Sequence, residues 1–169
     1  MIADLPASAA VAVASAVAQP AVPGAGLPAG LAVLADQAPD DAWLAAYHYR
    51  GLQDPPPVMR TVLTSAADQV FISIRSTAGP AAPASHVVAI ARLSLAAGWA
   101  GITAVEVRQE HRRAGLGAAL TREVLAVAAS RDFNTVFLQV EVDNLAARRL
   151  YERAGFRYSH RYHYRVGPA

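Results

Sequence analysis

The chain has 169 residues, 15 basic and 13 acidic side chains, a formal net charge of +2 and no cysteine. This length suits one domain with a real hydrophobic core, and the lack of cysteine excludes a disulfide framework, a thiolate nucleophile and a cysteine-based metal site. Every basic residue is arginine, which together with the alanine excess we interpret as the mark of a GC-rich bacterial genome. No stretch has transmembrane character, so a cytoplasmic location is the default expectation.

The charge is distributed unevenly along the chain. Residues 1–84 carry three arginines and six acids, a net charge of −3, whereas residues 85–169 carry 12 arginines and seven acids, a net charge of +5. A basic second half suits an anionic partner, either a cofactor or a nucleic acid.

The first 30 residues differ in composition from the rest. Residues 7–18 are almost entirely Ala, Val and Ser, and a Pro/Gly-rich stretch follows them to Gly30. A signal peptide is disfavoured because Asp4, and no basic residue, precedes the apolar run. We expect residues 1–30 to form a loosely packed helix, a flexible leader or the remnant of a longer chain, and residues 31–169 to form the domain.

Residues 31–108 predict four strands and two helices, from their hydrophobic periodicity and their Pro and Gly boundaries. The predicted strands are 31–35, 69–75, 86–95 and 99–108, and the predicted helices are 41–49 and 58–64. The last two strands form a hairpin around Ala96-Ala97-Gly98.

A glycine-rich turn over residues 112–118 follows, and it leads into an amphipathic run over residues 116–130 that predicts a helix. Such a turn presents backbone N–H groups beside a helix dipole, which suits a phosphate. It is not a P-loop, since the chain has no lysine, and it lacks the third glycine of a dinucleotide fingerprint, since Leu120 stands there. On its own the turn is equally compatible with a purely structural connection.

The second informative segment is a strand–helix–strand unit. Residues 135–142 alternate as a strand does, Asn144 is a good helix N-cap, and Gly155 stands in the C′ position. Phe156 begins another strand. One helical face between them holds Ala147, Leu150, Tyr151 and Ala154.

These two segments resemble the motifs of the GNAT N-acetyltransferase superfamily. Arg112-x-x-Gly115-x-Gly117 resembles its Gln/Arg-x-x-Gly-x-Gly/Ala motif, and Asn144-x-x-Ala147-x-x-Leu150-Tyr151-x-x-x-Gly155-Phe156 resembles its second signature. The detailed resemblance covers residues 99–157, and a looser one, by element order, reaches back to residue 31. It implies an α/β fold with a central, mostly antiparallel sheet that is splayed at a cofactor cleft and flanked by helices.

The resemblance implies acetyl-CoA as the cofactor. Its pantetheine arm would pair with the backbone of Val105, Glu106 and Val107, and an N–H group near Val105 would polarise the acetyl carbonyl. The Asn144 side chain would reach the same arm, and Arg112 would add a charge. The pyrophosphate would bind backbone N–H groups of the turn residues Arg113, Ala114, Gly115, Leu116, Gly117 and Ala118.

The implied reaction is direct attack of a primary amine on the thioester in a ternary complex. Tyr151 matches the tyrosine that the family uses to protonate the leaving thiolate, although a core aromatic on a helix face has the same pattern. Glu106 is the first candidate for the general base and Glu141 the second. An ordinary solvated glutamate and proton transfer through water are the alternatives.

The acceptor is expected to be a small amine or an amino acid. Trp43, Tyr47 and Arg50 lie at i, i+4 and i+7 and would form one wall of its pocket, with Arg50 binding a carboxylate. A peptide N-terminus is the second candidate class of acceptor, because residues 138–156 resemble the ribosomal-protein alanine N-acetyltransferases. They depart from that pattern at Gln139, Glu141 and Asp143. Tandem-domain actinobacterial acyltransferases acting on an aminosugar thiol precursor are a third possibility.

The C-terminal strand interleaves aromatic and basic residues. Tyr158, His160, Tyr162 and Tyr164 share one face with Phe156, and arginines lie on the other. Such a strand can bind single-stranded nucleic acid, but we favour an edge strand or hairpin with one packed and one wet face. A further alternative is that Tyr162 or Tyr164 lines the acceptor pocket. A non-catalytic CoA- or RNA-binding module remains the alternative class. We expect no metal, membrane or nucleic-acid partner, and a homodimer is compatible with the sequence.

Overall fold

The computed structural model describes residues 10–17, 26–48, 56–77 and 86–163. The strands are β1 (Ala10–Val17), β2 (Leu31–Asp36), β3 (Asp68–Ser76), β4 (Val87–Ala96), β5 (Trp99–Val107), β6 (Thr135–Glu141) and β7 (Arg157–His163). The α-helices are α1 (Asp41–Ala45), α2 (Val58–Leu63), α3 (Leu116–Ser130) and α4 (Leu145–Arg153), and a 3₁₀ turn spans Gln109–His111.

The seven strands form one sheet in the order β2-β3-β4-β5-β6-β1-β7. Every neighbouring pair is antiparallel except β5 and β6, which are parallel. Helices α3 and α4 pack on one face over the larger core, whereas α1 and α2 pack on the other face around Trp43 and Phe71. The predicted α/β fold with a mostly antiparallel sheet is therefore confirmed. No helix in the described ranges is long and apolar enough to cross a membrane.

The prediction for the N-terminal segment is wrong for residues 10–17. They form strand β1, which lies between β6 and β7 and pairs antiparallel with both. Two flanking strands satisfy the backbone on both sides, and this outweighs the helix preference of alanine. The small side chains of Ala12 and Ala14 also leave room for the rings of Tyr151 and Phe156. Residues 1–9 and 18–25 of the expected leader lie outside the described residues.

The elements predicted after residue 30 are confirmed in their order, and α3 has the predicted bounds. Helix α1 is shorter than predicted and ends at Ala45 instead of residue 49. Its N-cap is Asp40, whose Oδ1 accepts a hydrogen bond from Trp43 N at 2.8 Å. The chain leaves the helix because the N–H group of His48 donates to the Glu106 carboxylate on β5.

Strand β7 is an edge strand, as predicted, but its packed aromatic face is not observed. Within Arg157–His163 only Tyr162 is half-buried, and the other side chains are exposed. The register between β1 and β7 shifts at Ser159, so Tyr158 and His160 lie on opposite faces. Tyr164 lies outside the described residues.

We predict that Gly101→Ala lowers the free energy of unfolding by about 1–3 kcal/mol, the usual cost of overpacking a core. A Cβ atom on Gly101 would lie 2.8 Å from Phe137 Cζ and 3.2 Å from Ser94 Oγ. Relief of this contact requires a shift of the Phe137 ring, which lies edge-on to Trp99 with ring centroids 6.2 Å apart. Urea denaturation measures the change.

The double variant Gly101→Ala with Phe137→Leu is the control, since it removes the ring edge that the new methyl group meets. It should be more stable than the sum of the two single effects predicts. Wild-type stability of the Gly101→Ala protein would contradict the close approach of β5 to the Phe137 ring.

Candidate active site

The site lies where β5 and β6 separate. Their parallel pairing runs from Trp99 opposite Thr135 to Ile102 opposite Leu138 and then stops, although β5 continues to Val107. Beyond that point a cleft of about 790 Å³ opens. It is lined by the end of β5, the adjoining part of β4, the segment after α1, the loop that follows β5, and residues at the end of β6. The predicted splay of the sheet is thereby observed.

A β-bulge directs the backbone of β5 into this cleft. The β4–β5 register shifts opposite Ala91, and Ala104 adopts a left-handed backbone with φ of 52°. Below the bulge, Arg108 N donates to Val88 O on β4 at 3.0 Å. Because backbone groups alternate along a strand, those of Val105 and Val107 point away from β4, toward the cleft.

Arg112 confirms this direction for Val107. Its Nε donates to the Val107 carbonyl oxygen at 3.1 Å, so that carbonyl faces outward and already has a donor. The same contact holds the Arg112 guanidinium at the cleft, which Arg112 lines. The backbone of Val105 is thus the part of β5 that lies on the open edge.

The Glu106 side chain of β5 also lines the cleft, and His48 holds it in place. Glu106 Oε1 accepts from the backbone N–H of His48 at 2.6 Å, and Glu106 Oε2 lies 3.0 Å from His48 Nδ1. The Glu106 side chain is 28% exposed and that of His48 is 47% exposed. The sequence analysis missed His48, because it placed the residue inside a helix that ends earlier. No sequence signal joins two residues so far apart along the chain.

The segment that carries His48 is fastened to the sheet through Asp40, the N-cap of α1. Its Oδ2 forms a 2.8 Å ion pair with the guanidinium of Arg75, a buried residue of β3. The hydrogen bond from Arg75 lowers the pKa of the Asp40 carboxyl. Trp43 completes the anchor, since its ring is buried and its Nε1 donates to Ile72 O at 3.1 Å.

The glycine turn leaves the start of α3 uncapped. Gly115 is the N-cap residue with φ of 78°, and within the described ranges no side chain caps the helix there. The first backbone N–H groups of α3 therefore have no acceptor within the helix. A Cβ on Gly115 would meet no atom of the described residues within 4 Å, so none of them fills the space beside these donors. These features fit an anionic group, which the N–H donors and Arg112 and Arg113 would bind.

Gly117 has a packing role that is independent of any ligand. A Cβ on this residue would lie 3.1 Å from Leu150 Cδ2 on α4. The second glycine of the motif thus permits close approach of α3 and α4. This role agrees with the alternative that the turn is a purely structural connection.

The structure brings only part of the predicted cofactor set to the cleft. Asn144 lines it, and its Oδ1 caps α4 by accepting from Ala147 N at 3.1 Å, as predicted. Val105, Glu106, Val107 and Arg112 line it as well. The remaining turn residues, from Arg113 to Ala118, are not among its lining residues.

Tyr151 is not a lining residue of the cleft either. It is buried beside Phe156, with ring centroids 5.6 Å apart, and borders a small cavity shared with β1 and Tyr158. Burial raises the pKa of Tyr151 to about 12. Its hydroxyl forms no hydrogen bond to any residue that the structure describes.

Two residues of the predicted acceptor wall, Trp43 and Tyr47, do not line the cleft. Trp43 is a core residue, because it packs edge-on against Phe71 at 5.0 Å and is only 1% exposed. Tyr47 lies beyond the end of α1 and stacks on Trp43 at 5.8 Å, and Arg50 lies outside the described residues. Tyr162 borders a shallow groove on β1, β6 and β7 instead of the cleft.

Glu141, the second candidate for the general base, lines the same cleft as Glu106. The cleft therefore combines an open strand edge with carboxylates from both separated strands.

Comparison with known proteins agrees with this geometry. An N-acetyltransferase of Bacillus subtilis (strain 168), YobR, described as uncharacterized, is 34% identical over 80 residues, which are 47% of this chain and 32% of the relative. A GCN5-related N-acetyltransferase from Sphaerobacter thermophilus superposes with a TM-score of 0.66 and 23% identity, over 94% of this chain and 51% of that one.

Two further solved structures share the fold. A tandem GNAT protein from the clavulanic acid biosynthesis pathway has a TM-score of 0.68 and 16% identity, over 95% of this chain and 55% of that one. The ribosomal-protein-S18-alanine N-acetyltransferase from Escherichia coli has a TM-score of 0.58 and 21% identity, over 76% and 79% of the two chains. The chain spans about a third of the curated relative and about half of the Sphaerobacter and tandem proteins.

Residues 3–165 match the family described as "Probable histone acetyltransferase Rv0428c C-terminal". This match covers nearly the whole chain, including β1. The chain therefore belongs to that family, within the GNAT N-acetyltransferase superfamily.

Proposed function

We propose that the protein is an acetyl-CoA-dependent N-acetyltransferase that acts on a primary amine by direct attack in a ternary complex. The observation that carries the proposal is the splayed cleft, in which the open backbone edge at Val105 lies beside the carboxylate of Glu106. An open strand edge suits a chain of amide groups, and a carboxylate across from it suits an ammonium group that must lose a proton.

The cofactor would bind in two parts. The backbone of Val105 offers strand-like hydrogen bonds to the pantetheine amides, with Asn144 across the cleft. The uncapped N–H groups of α3 and the guanidinium of Arg113 would bind the pyrophosphate. The Arg112 contact with Val107 O restricts pairing at Val107, so Val105 is the main pairing position.

Bound acetyl-CoA supplies the acetyl thioester, and residues of this chain act on the amine and on the charges that develop. Glu106 accepts a proton from the acceptor ammonium group, because only the neutral amine has a lone pair for attack. The N–H group of Val105 stabilises the negative charge that develops on the carbonyl oxygen. Glu141, on the other separated strand, is the second candidate for the base.

Tyr151 is the candidate for stabilising the leaving thiolate on the basis of its match to the sequence motif, since it is not among the residues that line the cleft. The pKa of its phenol, raised to about 12 by burial, exceeds the usual thiol value of about 8.5 by several units. Complete proton transfer from this phenol to the thiolate is therefore uphill. We propose that Tyr151 acts as a hydrogen-bond donor to the sulfur, and that the proton reaches the thiol from solvent.

The proposed acceptor is a small primary amine or an amino acid. A protein lysine is the competing acceptor, because the description of the matched family names a histone acetyltransferase. A peptide N-terminus is the third class, since the fold is shared with an S18-alanine N-acetyltransferase.

A free-thiol release assay with acetyl-CoA tests the function and separates these acceptors. The panel holds amino acids, polyamines, peptides with free N-termini, and basic peptides with blocked N-termini. We expect thiol release with at least one small amine, together with a rise in melting temperature on addition of acetyl-CoA. Stabilisation without thiol release from any amine would identify a non-catalytic CoA-binding module, and absence of both would overturn the cofactor assignment.

We predict that Arg113→Gly weakens acetyl-CoA binding about tenfold, as the loss of one charge-assisted hydrogen bond does. Stability should not fall, because Arg113 has φ of 63°, which glycine adopts without strain. Isothermal titration calorimetry and urea denaturation measure the two quantities.

Arg60→Ala is the control for net charge. Arg60 lies on α2, where it pairs with Asp41 at the surface, away from the glycine turn. This variant should bind acetyl-CoA as the wild type does. Equal affinities of all three proteins would contradict a role of Arg113 in binding the pyrophosphate.

We predict that Tyr151→Phe lowers kcat by about 10- to 100-fold, the effect of losing one hydrogen bond to a charged group. The unfolding free energy should stay the same or rise, because the hydroxyl bonds to no residue that the structure describes. Acetyl-CoA affinity should change little. A stable variant with full activity would show that Tyr151 is only a core aromatic, and the companion variant Phe156→Leu separates loss of packing from loss of the hydroxyl.

A further inference from the structure

We propose that His48 is a positioning residue for Glu106 and carries the proton from that carboxylate to solvent. The proposal rests on the proposed acetyltransferase function and extends it to a residue outside both sequence motifs. Its structural basis is the pair of contacts that His48 makes with both carboxylate oxygens.

The two contacts fix the carboxylate. The backbone N–H of His48 donates to Oε1 at 2.6 Å, and the imidazole Nδ1 lies 3.0 Å from Oε2. A carboxylate with both oxygens engaged by one neighbour has a defined plane, so its remaining lone pairs keep a fixed direction into the cleft. General bases require such a fixed direction, because proton transfer depends on hydrogen-bond geometry.

The position of His48 is itself determined by the fold. It follows α1, which is held by the Asp40–Arg75 ion pair and by the buried Trp43 ring. An exposed ion pair alone contributes little to stability. We therefore expect the His48–Glu106 contact to contribute mainly by orienting the carboxylate, and only little to the stability of the fold.

The surrounding charges leave the imidazole as the direct partner of Glu106. From the loop after β5, Arg108 lies 3.6 Å from Glu110, with which it pairs, and Arg112 is bound to the Val107 carbonyl. Glu141 faces the cleft from β6. Among the described residues that line the cleft, His48 is the one in contact with the Glu106 carboxylate.

The exposure of the two side chains gives the proton a route. Glu106 is 28% exposed, whereas His48 is 47% exposed and reaches bulk water. In the resting pair Nδ1–H donates to the carboxylate. The ammonium N–H bond breaks as an O–H bond forms on Glu106, and the imidazole then shifts to its Nε2–H tautomer, which leaves Nδ1 free to accept the proton from Oε2 as the proton on Nε2 leaves to water. This step regenerates both the carboxylate and the Nδ1–H donor, so the cycle closes without any further reactant.

His48→Asn tests the proposal, because an asparagine amide nitrogen can replace Nδ1 as a donor to Oε2 but cannot carry a proton. We expect unchanged acetyl-CoA affinity and a kcat about tenfold lower, less than a direct acid–base group contributes. The ratio of wild-type to variant kcat should change with pH, because an imidazole can gain and lose a proton whereas an asparagine amide cannot. Taking the ratio cancels the ionisation of the acceptor amine.

Two further variants separate proton transfer from structure. His48→Ala leaves a space at the surface, so added imidazole should restore part of its kcat but none of that of His48→Asn. His163→Asn, which changes an exposed histidine at the end of β7, is the matched control and should behave as wild type. In a Glu106→Gln background, His48→Asn should cause little further loss, because the pair acts as one unit.

A pH-independent kcat ratio together with failure of imidazole rescue would overturn the role of His48 while leaving the acetyltransferase function intact. Additive effects of His48→Asn and Glu106→Gln would overturn it as well. If the wild-type protein releases no thiol with any amine, the proposed function and this extension both fail.

Discussion

The early end of the pairing between β5 and β6 is the constraint on which the site depends. Four residue pairs join the strands, and after Ile102 and Leu138 they separate. Gly101 allows the strands to meet at the Phe137 ring just before this point, and the bulge at Ala104 then redirects β5. Unpaired backbone groups along a strand edge inside a sheet are energetically unfavourable. The open edge of β5 therefore indicates that a partner pairs with it.

The two sides of the cleft are fixed by different parts of the sheet. On the side proposed for the cofactor, α3 and α4 pack closely through Gly117 and Leu150, and the Arg112–Val107 hydrogen bond holds the turn before α3 to the end of β5. On the side proposed for the acceptor, the Asp40–Arg75 ion pair holds α1, and His48, which follows α1, contacts Glu106. The proposed chemistry would therefore lie between two well-packed layers, at the point where the sheet widens.

Features that neighbouring residues determine were predictable from the sequence. The Asn144 cap and the bounds of α3 are local, and both were confirmed. Strand β1 was not predictable, because an alanine-rich run becomes a strand only between two partners that come much later in the chain. The His48–Glu106 contact spans 58 residues for the same reason. The bulge at Ser159 reversed the expected faces of β7, since one unpaired residue shifts the alternation.

Amide hydrogen exchange with and without saturating acetyl-CoA tests the central claim most directly. If the open edge of β5 receives the cofactor, exchange should slow at Val105 and at the first residues of α3, because their N–H groups gain acceptors. Exchange along β7, on the far side of the sheet, should not change. Stabilisation of the whole protein by acetyl-CoA with unaltered exchange at Val105 would contradict the account, since the cofactor would then bind away from the separated strands.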